Sequence, residues 1–108
     1  MKQILIVLGG GRARGNTAQL AEAFRRGAEE AGHRVETVSL VKEEVKGCLG
    51  CNACRYGKPC VQKDAFNSLI PKIQGADLVV FASPLYFWTV SARLKAFIER
   101  FYCMAEED

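Results

Sequence analysis

Four cysteines stand close together in the segment CLGCNACRYGKPC: Cys48, Cys51, Cys54 and Cys60. Gaps of two residues separate the first three, and Gly57 and Pro59 let the chain turn back before the fourth. Thiols at this spacing can surround one small object. The segment therefore predicts either a metal centre or a set of disulfides.

The redox compartment separates these two options. Disulfide scaffolds are typical of small secreted chains that cannot build a core, whereas 49% of these residues are hydrophobic. No secretory signal is visible, because glycines and the charged Arg12 and Arg14 follow Met1–Leu8 at once, and no apolar run approaches transmembrane length. We therefore expect a cytoplasmic protein with no membrane partner, which favours the metal centre.

The length and charge of the chain limit its organisation and its partners. A chain of 108 residues is expected to form one domain. Its formal net charge of +3 comes from fifteen basic and twelve acidic residues that are interleaved along the sequence. Because no basic stripe is formed, we expect no nucleic-acid partner.

Hydrophobic periodicity predicts alternating strands and helices. The predicted strands are Ile4–Leu8, Arg34–Leu40 and Leu78–Ala82. The first predicted helix covers Asn16–Ala31, the second runs from an N-cap at Asp64 to about Gln74, and the third runs from Ser91 to about Cys103. Leu20, Phe24, Ala28 and Ala31 form the apolar stripe of the first helix, which Gly32 caps. Pro71 is expected to bend the second helix or shift its start.

This order of elements indicates an α/β fold. Short β-α units require right-handed crossovers, so the sequence predicts a doubly wound parallel sheet with helices on both faces. In the strand order 2-1-3, the loops after strands one and three face one crevice. We therefore expect a ligand between residues 9–17 and residues 84–91.

The first of these loops, GGGRARGNT, is a glycine-rich turn that opens into a helix. It lacks the third glycine of a dinucleotide fingerprint, where Arg14 stands, and Asn16 replaces the lysine of a P-loop. The free N–H groups of a helix N-terminus nevertheless favour an anion, and a terminal monophosphate suits them. The candidate ligands are Gly10, Gly11, Arg12, Asn16 and Thr17. Alternatively, Asn16 is a plain N-cap, with Gln19 completing a variant capping box.

The second loop carries three aromatic residues directly after a buried strand. Pro84, Leu85, Tyr86 and Phe87, followed by Trp88, could form a wall for a flat ring system. Aromatic residues are more often part of a core than of a cofactor site. Here they fall at the ligand end of the predicted sheet, which favours the wall.

These motifs together resemble a known family. The segments GGGRARGNT, GCLGCNACRYGKPC and SPLYFWTVSARLKAFIER, in this order, resemble the NADPH-dependent FMN reductase branch of the flavodoxin-like proteins, and in particular the iron–sulfur flavoproteins. The resemblance implies a flavodoxin-like FMN-binding domain over residues 1–108 with a cysteine-rich insertion at 47–61. It places the FMN phosphate at residues 10–17 and the isoalloxazine ring against Pro84–Phe87.

The resemblance also implies an activity. The flavin accepts hydride from NAD(P)H and passes electrons to a small-molecule or protein acceptor, so no catalytic side chain is needed. The implied cluster is a [4Fe–4S] centre on Cys48, Cys51, Cys54 and Cys60. Alternatively, Zn²⁺ fills this site or the thiols are free. Cys103 is expected to be a small core residue and His33 a surface turn residue rather than a ligand.

Two departures from the family pattern matter. Gly10 and Gly11 stand where the family usually has Ser and Pro, so we expect FMN binding to be weaker by about 1 kcal/mol, the value of one hydrogen bond. The chain also lacks the last two strands of the family fold, which would leave strand three as an exposed edge. We therefore expect either a fragment or a homodimer or higher oligomer.

Three function classes follow from these observations. The first is an NAD(P)H-dependent FMN oxidoreductase, which we favour. The second is a non-catalytic flavin or iron–sulfur electron carrier, and the third is a truncated module that binds no cofactor and acts in protein association.

Overall fold

The computed structural model describes residues 1–10 and 14–104. Three strands, β1 (Gln3–Leu8), β2 (Arg34–Ser39) and β3 (Leu78–Ala82), form one parallel sheet in the order β2-β1-β3. The predicted strand order is therefore confirmed. Ile4–Val7 are all buried, as expected for the central strand of a sheet that is covered on both faces.

Three helices connect and follow the strands: α1 (Asn16–Glu30), α2 (Ala65–Gln74) and α3 (Ala92–Glu99). Short 3₁₀ segments lie at Arg55–Gly57 and Arg100–Met104. The third helix was predicted to reach about Cys103, and the chain does stay helical that far. Its last turn tightens to 3₁₀ geometry, which is common at the end of an α-helix.

At the N-termini of α2 and α3, the residue expected to begin the helix caps it through its side chain, whereas α1 differs from the expectation. Asp64 caps α2 by accepting a hydrogen bond from the N–H of Phe66 (3.1 Å), and the hydroxyl of Ser91 caps α3 through the N–H of Leu94 (3.2 Å). Asn16, however, is the first residue of α1 rather than its N-cap. Gly15 is the cap residue, so the interpretation of Asn16 as a plain N-cap is wrong. The α2 helix is continuous through Pro71.

The core lies on both faces of the sheet. On one face, Ile4 and Ile6 of β1 pack with Ala21 of α1. On the other face, a larger cluster joins β1 and β2 to α2 and α3, and its buried members are Leu5, Val7, Val38, Leu40, Val45, Phe66, Leu69, Ile73, Leu94 and Phe97. Because residues alternate between faces along a strand, β1 contributes to both clusters. The doubly wound arrangement is thus confirmed.

The apolar stripe of α1 differs from the prediction. Ala21 is the buried residue of this helix, whereas Leu20 and Phe24 are exposed. In the described part of the chain β3 pairs only with β1 and forms an edge of the sheet, so α1 lacks a neighbouring strand to cover its stripe. Leu78 and Phe81 of β3 are also partly exposed, as expected for an edge strand.

One further property of the helices concerns membranes. Over residues 1–10 and 14–104, no helix is long and apolar enough to cross a bilayer.

Candidate functional site

The turn after β1 and the loop after β3 meet at the carboxyl edge of the sheet. The N–H of Gly9 donates to the carbonyl oxygen of Ala82 (2.8 Å). A Cβ atom on Gly9 would lie 2.7 Å from Ser91 Oγ and 2.9 Å from Leu94 Cβ, so α3 can approach this closely only because the residue is glycine. The next residue, Gly10, lies against Pro84, whose Cδ is 3.5 Å from the position of an added Cβ.

The glycine turn leads into the N-terminus of α1 without a side-chain cap. Gly15 is the N-cap residue, and no side chain of the described residues bonds to the cap. The first N–H groups of a helix have no intrahelical partner and are therefore available to an anion. Thr17 lies beside Gly10, while Asn16 is exposed at the first helical position. The predicted ligands Gly11 and Arg12 lie outside the described residues.

The aromatic loop is open to solvent. Leu85 and Tyr86 are exposed, Phe87 is 93% exposed and Trp88 is 84% exposed, whereas Pro84 is half-buried beneath them. These rings therefore do not belong to the core, which rules out the alternative considered for them. They follow Pro84 in the chain, the residue of this loop that lies against Gly10.

The loop holds its shape through short hydrogen bonds. Tyr86 and Thr89 exchange two backbone hydrogen bonds of 3.0 and 3.1 Å, so Phe87 and Trp88 form the tip of a two-residue hairpin. Both tip residues have positive φ, 46° and 70°. Bulky side chains rarely adopt this conformation, and it costs of order 1–3 kcal/mol per residue. Strain of this kind is often found where a loop presents side chains to a ligand.

Ser83 anchors the base of this loop and had no role in the sequence analysis. Its hydroxyl donates to the carbonyl oxygen of Pro84 (2.8 Å) and accepts from the N–H of Ser91 (2.8 Å). The hydroxyl therefore joins the start of the loop to the N-cap of α3. A serine at the end of an apolar strand is the signal that could have indicated this role.

A groove of about 470 Å³ begins at the same turn but runs in another direction. Gly10 and Thr17 line one end, and the groove continues past Thr37–Ser39 and Lys42 on the β2 side. The residues of the aromatic loop do not line it. The glycine turn is thus shared by two surfaces, one towards β2 and one towards Pro84.

The cysteines gather at one place. All five, including Cys103, line a small depression of about 20 Å³. Its volume is close to that of a single water molecule. Cys54, Cys60 and Cys103 are half-buried, while Cys48 and Cys51 are exposed. Over the described residues, no three Cys, His, Asp or Glu side chains are arranged so that they could hold a metal ion.

The end of α3 and the segment that follows it hold the cysteine loop, residues 47–61. A carboxylate oxygen of Glu99 accepts from the N–H of Cys48 (3.1 Å), and the hydroxyl of Tyr102 donates to the side-chain oxygen of Asn52 (2.6 Å). Arg100 donates to the carbonyl oxygen of Lys46 (3.0 Å), just before the loop. The cysteine loop is therefore attached to the end of α3 at several points.

Arg100 and Asp64 form a largely buried ion pair beside the cysteines. Arg100 is 1% exposed, and its Nη1 donates to Asp64 Oδ2 (2.7 Å). Burial raises the pKa of Asp64, but the hydrogen bonds from Arg100 and from the N–H groups of Lys46 and Phe66, together with the charge of Arg100, outweigh it, so the pKa lies below its usual value. Burial lowers the pKa of Arg100, but the hydrogen bond to Asp64, the charge of Asp64 and the contact with Cys60 together outweigh this effect and raise it. Both groups are therefore charged.

Cys103 differs chemically from the four loop cysteines. It packs against the main core cluster, which confirms the prediction for it, and it also lines the depression. Burial raises the pKa of its thiol, the nearby Cys60 raises it further, and Arg100 partly opposes the shift. A half-buried thiol with a raised pKa gives up its proton less readily, and metal ligation needs the thiolate. His33 was predicted to be a surface turn residue, but it follows the turn at Ala31 and Gly32 and is half-buried, and its Nδ1 accepts from the N–H of Lys2 (3.1 Å).

No role was predicted for Arg100, although the sequence contains a signal for it. Arg100 stands three residues after Phe97, which itself stands three after Leu94, so it continues the buried side of α3. A charged residue at core spacing indicates a buried partner, here Asp64.

Comparison with known proteins extends these observations. Residues 2–108 match the family NADPH-dependent FMN reductase. An iron–sulfur flavoprotein of Archaeoglobus fulgidus is 34% identical over 94 residues, which are 87% of this chain and 43% of the relative. An iron–sulfur flavoprotein of Methanocaldococcus jannaschii is 33% identical over 98 residues, which are 91% of this chain and 51% of the relative. The chain thus spans about half the length of these relatives.

Solved structures show the same architecture. The NAD(P)H:quinone oxidoreductase from Methanothermobacter marburgensis superimposes with a TM-score of 0.79 at 22% identity, covering 94% of this chain and 53% of that protein. At this identity the likeness concerns the fold alone, which is flavodoxin-like. The family model matches residues 2–108, which is nearly the whole chain. The chain therefore belongs to the NADPH-dependent FMN reductase family.

Proposed function

We propose that this chain binds FMN and belongs to an oxidoreductase that takes hydride from NAD(P)H and passes electrons to a small-molecule or protein acceptor. The observation that carries the proposal is the contact between Gly10 and Pro84 beneath an exposed aromatic loop. This contact brings the N-terminus of α1, which has no side-chain cap, next to the aromatic loop. A helix N-terminus suits the phosphate of FMN, and aromatic side chains suit its flat ring system.

The phosphate end would be held by the start of α1. Backbone N–H groups there, the hydroxyl of Thr17 and the side chain of Asn16 supply hydrogen-bond donors, and Gly10 leaves space that a Cβ would fill. Gly11 and Arg12 complete the set by sequence. A dianionic phosphate needs several donors, and a helix N-terminus adds a favourable dipole.

The ring end would lie against Pro84, Leu85, Tyr86 and Phe87. Bound FMN supplies the hydride chemistry, so the chain has to bind, orient and shield the ring. Exposed apolar side chains at the loop tip can exclude water from one side of a flat ligand. The bonds of Ser83 fix the start of the loop, so this surface is formed before the ligand arrives.

Titration with FMN tests this proposal directly. Trp88 is the single tryptophan of the chain and is highly exposed next to the proposed ring site. We expect FMN to quench its fluorescence with saturation, and NADPH to bleach the flavin absorption. No quenching and no bound flavin would contradict FMN binding, while bound flavin that NADPH does not bleach would indicate an electron carrier.

Two matched variants locate the phosphate. Thr17→Val removes a hydroxyl at the proposed site, and we expect FMN affinity to fall about five- to tenfold, the effect of one hydrogen bond of ~1 kcal/mol. Thr37→Val makes the same change in the groove on the β2 side, and we expect no effect there. The reverse result would place the ligand along β2.

We further propose that Cys48, Cys51, Cys54 and Cys60 hold a [4Fe–4S] cluster that exchanges electrons with the flavin. Four thiols around one depression, with an N–H of Arg100 directed at the sulfur of Cys60, are the donor set that such clusters use. Cys48 and Cys51 would have to turn inward, because the described arrangement leaves both exposed. The iron–sulfur names of the relatives agree with this proposal.

Metal analysis of protein purified without air tests the cluster. We expect iron and acid-labile sulfide rather than zinc. Cys60→Ser should lose most of the iron, whereas Cys103→Ser, which changes a cysteine of the same depression, should keep it. Zinc without sulfide, or no metal at all, would contradict the cluster.

We also propose that the working protein is a homodimer or higher oligomer, acts in the cytoplasm and has no nucleic-acid or membrane partner. The exposed edge of β3 and the uncovered stripe of α1 support association. The interleaved charges support the exclusion of nucleic acid.

A further inference from the structure

The burial of Arg100 needs an explanation. A guanidinium that is 1% exposed has lost its hydration, and such a charge is retained only when it is paired and hydrogen-bonded. Asp64 balances the charge, but its carboxylate pairs with only one nitrogen of the guanidinium, Nη1 (2.7 Å). The other contacts of Arg100 therefore indicate what it does besides pairing.

These contacts reach both ends of the cysteine loop. Nη1 also donates to the carbonyl oxygen of Lys46 (3.0 Å), which precedes the loop, and Nη2 donates to the sulfur of Cys60 (3.4 Å), near its end. The guanidinium lies over the ring of Phe66 (5.1 Å), which packs in the core. Arg100 thus ties the two loop ends to the rigid part of the fold.

We propose that Arg100 is a positioning residue that holds the two ends of the cysteine loop together and fixes the sulfur of Cys60. The two terminal nitrogens of a guanidinium stand apart in a planar fork and reach the carbonyl oxygen and the sulfur from separate atoms, whereas the donors of a lysine all lie on one nitrogen. Asp64 anchors the fork and at the same time caps α2, and its Oδ2 accepts from the N–H of Lys46 (3.0 Å). One ion pair therefore connects α2, the end of α3 and the loop.

Other hydrogen bonds also hold the loop, and one of them, from the side-chain amide of Gln62 to the carbonyl oxygen of Gly47 (2.9 Å), joins its two ends without Arg100. Tyr102 bonds to Asn52 in the middle of the loop, and this hydrogen bond is exposed. It touches neither loop end and no cysteine sulfur. Tyr102→Phe is therefore a matched control, because it removes one loop contact from the same 3₁₀ segment without changing the contacts of Arg100.

A second consequence concerns the metal centre and rests on the proposed cluster. Hydrogen bonds to the ligating sulfurs and nearby charge help to set the reduction potential of an iron–sulfur cluster. A buried cation that donates to Cys60 stabilises the more negative, reduced form. Loss of Arg100 should therefore shift the reduction potential to more negative values.

Hydrogen exchange of the metal-free protein tests the positioning role. In Arg100→Lys we expect the amides of the cysteine loop to exchange about tenfold faster, because bonds between a charged donor and the loop are lost. The amides of α1 serve as an internal reference and should be unchanged, and Tyr102→Phe should affect only the residues around Asn52. Unchanged exchange in the loop, or equal acceleration in α1, would overturn the proposal.

A double variant covers the case in which Arg100→Lys fails to fold. Asp64→Asn with Arg100→Gln removes both buried charges together, and asparagine can still cap α2. We expect the same local acceleration and, after reconstitution with iron and sulfide, a more negative reduction potential than in the unchanged protein and in Tyr102→Phe. Equal potentials would overturn the effect on the cluster.

The unchanged protein itself decides whether the cluster exists. If neither the unchanged protein nor any variant takes up iron, the proposed cluster is wrong, and the exchange result alone decides the role of Arg100.

Discussion

At the residue scale, adjacent glycines have different tasks. Gly9 permits the close approach of α3, since a Cβ would meet Ser91 and Leu94 at less than 3 Å. Gly10 has room for a Cβ at ordinary contact distance from Pro84, so its lack of a side chain does not serve packing. The packing role of Gly9 and the proposed ligand role of Gly10 would thus fall on neighbouring positions.

Asp64 makes the stability of the fold depend on pH. Its pKa is lowered in the folded state, so its contribution is complete above the unfolded value of about 3.9 and is lost as the pH falls through the folded value. We expect Asp64→Asn to be clearly less stable than the unchanged protein at neutral pH. This difference in unfolding free energy should shrink steadily below about pH 4, where the unchanged protein loses its carboxylate.

Urea denaturation followed by circular dichroism at several pH values measures this difference. Asparagine keeps the cap of α2 but cannot pair with Arg100, so the comparison isolates the charge. A difference that stays constant from neutral pH to about pH 2 would show that the carboxylate charge does not matter.

At the element scale, the sequence predicted most of the fold because its patterns are local. The apolar run Leu78–Ala82 is a strand with the predicted bounds, and Asp64 caps α2 as expected. The prediction was wrong for Leu20 and Phe24, because burial depends on whether a further strand lies beside β3, and periodicity within α1 does not contain that information. The contacts of Arg100 with Lys46 and Cys60 were missed for the same reason, as they join distant parts of the chain.

The aromatic hairpin is the element whose conformation conflicts most with its residues. Positive φ at both tip positions favours Asn and Gly, but Phe87 and Trp88 occupy them. We expect Trp88→Gly to raise the unfolding free energy by about 1 kcal/mol, because glycine adopts this backbone without strain. Urea denaturation followed by circular dichroism measures the change.

The matched control for this prediction is Trp88→Ala. Both variants remove the exposed ring, but alanine keeps a Cβ at positive φ, so only glycine relieves the backbone. We expect the glycine variant to be more stable than the alanine variant by about 1 kcal/mol. Equal stability of the two would mean that the hairpin stores no strain.

At the scale of the whole molecule, the edge of the sheet at β3 pairs with no further strand among the described residues. Phe24 of α1 and Leu78 of β3 line one depression at this edge, and Leu20 is exposed one helical turn before Phe24; we call these three residues the β3-edge patch. Apolar side chains next to unpaired strand hydrogen-bonding groups favour association with further protein. The opposite edge, β2, carries charged residues such as Arg34 and Glu36, which are unfavourable for such pairing.

We therefore expect the 108-residue chain to form dimers or larger assemblies through the β3-edge patch, as measured by light scattering on the eluate of a sizing column. Leu78→Lys should shift the protein towards the monomer, because a charge on an edge strand opposes pairing. Leu49→Lys is the matched control, since Leu49 is also an exposed leucine but lies in the cysteine loop, and it should leave the assembly unchanged. A monodisperse monomer of the unchanged chain would rule out the association, and equal effects of the two variants would show that the patch is not the interface.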